Sequence, residues 1–117
     1  MRLNQEKTVS KDNGTTINIL GTDFRLIICE DLPEYALGQA NLYDHWIKVR
    51  PRESYEEEQM SEGGVLRQYQ ETLRHELLHS FASEAGMSCY ANDEILIEWM
   101  AKMFPKFVEL FQEVGAL

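Results

Sequence analysis

The stretch Thr72-Leu73-Arg74-His75-Glu76-Leu77-Leu78-His79-Ser80-Phe81 decides how the rest of the chain is read. On an α-helix, residues i and i+4 lie one above the other, about 6 Å apart along the axis, so the imidazoles of His75 and His79 can converge on one metal ion. Glu76 projects to one side of that pair. A carboxylate there reaches a water on the metal without ligating the metal, which is the placement a general base needs. The plain alternative is a helix carrying two surface histidines. Against it, two of the three histidines of the chain fall in this pattern, and apolar Leu77, Leu78 and Phe81 are interleaved with them.

Outward from the motif, Leu66, Tyr69, Leu73, Leu77 and Ser80 or Phe81 recur every three or four residues. That period predicts a helix of about six turns over residues 65–85, with Gly86 as its C-terminal cap. A connection over residues 87–91 follows, and Asn92 or Asp93 is a suitable N-cap for a second helix over 94–104. Pro105 punctuates it. Phe107, Val108, Leu110, Phe111 and Val114 then predict a third amphipathic helix over 106–114.

Upstream, β-branched residues and partial alternation predict strands over 15–20 and 24–29, with Gly21-Thr22-Asp23 as their connection. Glu30-Asp31-Leu32-Pro33 breaks the second strand, and 34–38 is a turn or short helix. Residues 39–43 are extended again, Asp44-His45 is a turn, and 46–50 alternates apolar and basic residues up to Pro51. The expectation is an α+β fold: a small, largely antiparallel sheet of three or four strands, followed by the histidine helix and one or two C-terminal helices. The polar segment 1–14, ending in Asp12-Asn13-Gly14, is expected to be a loosely attached arm. Residues 52–62, with Glu53, Glu56, Glu57, Glu58 and Glu62, are expected to be a solvated loop, with room for a helical turn, that leads to Gly63-Gly64.

At 117 residues and 44% hydrophobic, the chain suits one domain over 1–117 with a core of its own. Its net charge of -9 argues against nucleic acid or an anionic membrane as a partner, since both need clustered lysine and arginine. With no apolar run of about 18 residues and a polar N-terminus unlike a signal peptide, a cytoplasmic location is expected. Cys29 and Cys89 form no CxxC pair; Cys29 reads as a small core residue, and Cys89 lies near the region where a third metal ligand is needed.

A catalytic metal site of this type requires a third protein ligand and an open position. Glu94 and Glu98, at i and i+4 on the second helix, compete for that role; the alternative is that one or both are solvated surface residues.

With those residues in place, TLRHELLHSF followed by NDEILIEWMAKMFP resembles the small phage and bacterial zinc metallopeptidases related to the ImmA/IrrE group. The resemblance covers roughly residues 40–105; the N-terminal third and the acidic loop carry no match. It implies a minimal zincin-like domain holding one Zn²⁺, with Glu94 beside His75 and His79 as the third ligand, as in gluzincins. It also places Glu98 one turn later, as the residue that orients a ligating imidazole. The implied activity is peptide-bond hydrolysis with Glu76 as the catalytic base. A peptidase also needs a group to stabilise the oxyanion, and Tyr90, His45 and Tyr43 are the candidates. The extended run 39–49 is a candidate edge for binding a peptide or protein substrate by strand addition.

Two other readings stay open on the sequence. One is a catalytically silent zinc-site protein that binds a regulatory partner, such as a phage repressor; a closed four-ligand site with Cys89 added would favour it. The other is a metal-free helical interaction module.

Overall fold

The computed structural model describes residues 14–55 and 60–117. The arm expected over 1–14 lies outside the described residues except for Gly14, and so do Glu56, Glu57 and Glu58 of the acidic segment.

The sheet starts with a tight hairpin. β1 (Thr15–Ile19) and β2 (Thr22–Ile28) pair antiparallel, with Ile19 opposite Thr22. The turn between them is only Leu20-Gly21, both at positive φ (49° and 96°), the backbone twist that lets two antiparallel strands continue without splaying. Asn18 fixes it, accepting the Gly21 N–H and donating to Asp23. Thr22 and Asp23, expected in the connection, are therefore strand residues.

β3 (Gly38–Asn41) and β4 (Trp46–Val49) form a second antiparallel hairpin. Its turn is held by the Asn41 side chain, which accepts the N–H groups of Tyr43 and Asp44. The strand order is β1-β2-β4-β3, and the central pair β2 and β4 is parallel, with Leu26 opposite Ile47. The sheet is thus mixed: two of its three pairings are antiparallel, as expected, and the central one is parallel. Residues 29–37 carry the chain beyond β4, so β3 takes the far edge and β4 comes back beside β2 in the same direction. Arg50 secures that crossing, its guanidinium donating to the Ala36, Pro33 and Leu32 carbonyls and to Glu30.

One face of the sheet makes the core. Phe24, Ile47 and Val49 are fully buried, with Leu26 and Ile19 nearly so, and Tyr69, Leu73 and Leu77 of the histidine helix pack on them. Burying each such side chain is worth roughly 1.5–3 kcal/mol, so this packing fixes the orientation of the helix over the sheet. Cys29, expected in the core, is only half-buried at the end of β2.

That helix, α1, spans Glu62–Glu84 and starts three residues earlier than its apolar period suggests. Ser61 is the reason: its hydroxyl accepts the Gly64 N–H and caps the first turn, drawing Glu62, Gly63 and Gly64 into the helix. A Cβ on Gly64 would sit 2.9 Å from the Met60 side chain, so glycine here admits a close neighbour. Arg52–Tyr55 is a 3₁₀ turn whose Tyr55 is buried against Tyr69. At the other end the chain leaves α1 through Gly86 at φ 79°. Of the two alternatives for the last apolar position, Ser80 is buried and Phe81 is half exposed.

A short helix, α2 (Ser88–Ala91), occupies the expected connection. Asp93 then caps α3 (Glu94–Glu113) by accepting the Leu96 N–H. The two helices expected on either side of Pro105 are one. Proline supplies no N–H to the carbonyl four residues back, which is that of Ala101, a residue with no exposure. Arg74 of α1 donates its Nε–H to that carbonyl at 2.7 Å, so the helix continues without an orphaned acceptor. Among the described residues no helix is long and apolar enough to cross a membrane.

Candidate metal centre

α1 lays His75 and His79 one turn apart on the side facing the start of α3, and the Asp93 cap sets Glu94 in the first turn of α3 opposite them. The three side chains meet. His75 Nε2 is 3.1 Å from Glu94 Oε2, His79 Nε2 is 2.6 Å from Glu94 Oε1, and the two Nε2 atoms are 3.1 Å apart. His75, His79 and Glu94 are a group that could hold a metal ion. Bonds of about 2.0–2.1 Å to a tetrahedral ion place neighbouring ligand atoms about 3.3 Å apart, close to the spacing of the two imidazoles.

The donor chemistry points the same way. His79 Nδ1 lies against the Ala91 carbonyl, which can only accept, so that nitrogen carries a proton. In neutral His79 the Nε2 is then an acceptor. It faces Glu94 Oε1, another acceptor, at 2.6 Å. Only a shared cation or an added proton makes such a contact attractive, and the group fits a divalent ion on this ground.

Glu76 sits beside the triangle. It is 7% exposed, and its carboxyl has no hydrogen-bond partner among the described residues. Burial pushes its pKa up to about 7 from 4.5; the nearby Glu94 carboxylate adds to the rise, and His79 opposes it. Its backbone carbonyl accepts from the buried Ser80 hydroxyl, which locks the turn that presents it. A cavity of about 280 Å³ contains these groups, walled by His75, Glu76, His79 and Glu94 on one side and by Gly38, Gln39, Ala40 and Leu42 on the other, with Asn92 at its end. β3 is an edge strand, pairing only with β4 among the described residues, and its residues wall the site.

The other expected site residues fall elsewhere. Glu98 pairs with Lys102 at 3.4 Å and lines an adjoining cleft, so the orienting role expected of it passes, for His79, to the Ala91 carbonyl. None of Tyr90, His45 and Tyr43 lines the cavity. Tyr43 borders a neighbouring cleft along β3 and is 93% exposed. His45 packs on Phe24 and lies 3.9 Å from Glu84, and Tyr90 is exposed on α2. Cys89 is exposed and does not belong to the His75, His79 and Glu94 group.

Two residues that line the cavity escaped the sequence reading. Asn92 was visible only as a helix cap, and it lines the cavity. Gly38 was visible only as the end of a turn. A Cβ on it would lie 2.9 Å from Glu76 Cγ and 3.1 Å from Glu76 Oε2, so glycine is what lets β3 approach the helix this closely. A lone glycine opening a strand was the only signal. Comparison of the chain with known protein families, with curated proteins and with solved structures returned no match.

Proposed function

We propose that the chain is a zinc-dependent peptidase with a minimal zincin-like fold, akin to the ImmA/IrrE-related metallopeptidases its motif resembles. His75, His79 and Glu94 hold the ion, whose place in the chemistry is to acidify water and polarise the substrate carbonyl. Glu76 takes the proton of the attacking water and delivers it to the leaving amine. β3 is an edge strand of the sheet and can take an extended peptide by strand addition, with Asn92 lining the same cavity.

The observation that carries this reading is the Glu76 carboxyl, buried and without a hydrogen-bond partner among the described residues, beside three converging metal-binding groups in a cavity bordered by an edge strand. A carboxyl kept only for stability would be paired. The placement of Cys89 outside the group weighs against a closed, purely structural zinc site. The test is Glu76→Gln: metal content measured by mass spectrometry stays at that of the wild type, while hydrolysis of an unfolded protein substrate is lost. Hydrolysis that survived the substitution would refute the assignment.

A further inference from the structure

The clefts on the two sides of the centre differ in charge. Towards β4 and α2, a cleft of about 470 Å³ is bordered by neutral groups, among them Asn41, Trp46, Ser83 and Ser88. On the opposite side, a cleft of about 390 Å³ runs on from His75, Glu76 and Glu94 to Tyr35, Gln68, Glu71 and Glu98. Among the described residues, no lysine or arginine lines that second cleft. Bound to a divalent cation, the centre balances the charges of Glu76 and Glu94, which leaves Glu71 and Glu98 as the excess.

We propose that the Glu71 and Glu98 cleft is a subsite for a cationic side chain, lysine or arginine, and that it sets the residue preference on one side of the cleaved bond. This rests on the peptidase reading above. Two observations bear on it beyond the two carboxylates. The Glu76 carboxyl, 7% exposed and without a hydrogen-bond partner among the described residues, lines the same cleft, so the cleft has a buried polar wall that calls for a ligand. The cleft also shares Gly38 and His75 with the central cavity, so a peptide lying at the centre delivers its neighbouring side chain there. Lys102 does not cancel Glu98: their contact is an exposed i,i+4 pair at 3.4 Å, and such a pair exchanges readily for another cation. The net charge of -9 steers a basic peptide towards the protein in the first place.

The test separates binding from cleavage. Zinc-loaded Glu76→Gln protein is titrated with end-blocked alanine pentapeptides carrying one lysine, norleucine or glutamate at each position in turn. At low salt, lysine at one position binds about tenfold or more tighter than norleucine, and the margin shrinks as salt is added. In the Glu71→Gln, Glu98→Gln background the margin disappears, and with Glu71→Lys, Glu98→Lys the glutamate peptide becomes the preferred one. Equal affinity for lysine and norleucine at every position, or a lysine preference that survives Glu71→Gln, Glu98→Gln, overturns the proposal. Digestion of the same peptides by the wild type keeps the two claims apart. Selective binding of lysine peptides that are never cleaved leaves the subsite and removes the peptidase; cleavage indifferent to lysine does the reverse.

Discussion

Arg74 donates its Nε–H to the Ala101 carbonyl at 2.7 Å, and this bond ties the helix of the two histidines to the helix of Glu94. Arg74 is next in sequence to His75, and Ala101 lies two turns beyond Glu94, so the tie braces the approach of the third donor. It exists because Pro105 leaves that carbonyl free. Arg74→Met should cost about 1–3 kcal/mol, the penalty for a buried acceptor left without a donor. Pro105→Ala restores a backbone N–H for Ala101, so Arg74→Met should cost clearly less in that background. Urea unfolding of the four proteins of the cycle measures the coupling; strictly additive costs would show that Arg74 acts only through surface packing.

Gly38 faces the Glu76 side chain with no room for a methyl group. Gly38→Ala should leave metal affinity within a few-fold of wild type, because the donors lie on α1 and α3. Glu76 must shift, and turnover should fall on the order of a hundredfold, as misplacement of a catalytic group by about an ångström does. A strain of about 1–3 kcal/mol should appear in the unfolding curve. Unchanged kcat in Gly38→Ala would mean that the exact seat of Glu76 does not matter.

Glu76 also gives the metal-free protein a pH signature. Its folded pKa, about 7, stands above the 4.5 of an ordinary glutamate, chiefly through burial. Between those values the folded state keeps a proton that the unfolded chain has released. Stability therefore falls as pH rises from about 4.5 to about 7, by at most about 3 kcal/mol. Glu76→Gln removes that contribution. Unfolding free energies of the metal-free proteins at pH 5 and 7.5 should drop more for wild type than for Glu76→Gln; an identical drop would place the Glu76 carboxyl in water.

Much of this arrangement was legible because its causes are local. The i, i+4 spacing of His75 and His79, the Tyr69, Leu73 and Leu77 stripe, and the Asp93 cap that opens the Glu94 helix are set within a few residues, and the structure brings them together. What escaped depends on distant partners. The parallel pairing of β2 with β4 follows from a crossing held by Arg50, whose guanidinium reaches Ala36, 14 residues away, and Glu30, 20 residues away. Pro105 stays inside a helix because of an arginine on another helix. Gly38 and Asn92 reach the cavity through tertiary placement alone, and Glu98 turns to Lys102 although it shares a helix face with Glu94. The Ser61 cap was a local signal that the neighbouring glycines masked.

The central claim is that His75, His79 and Glu94 hold one zinc ion, and anomalous scattering at the zinc edge from crystals grown with the metal tests it most directly. The account predicts a single peak bonded to His75 Nε2, His79 Nε2 and a Glu94 carboxylate oxygen, lost in Glu94→Gln. A peak ligated by Glu98 or Cys89, or no peak between the two histidines, would contradict it.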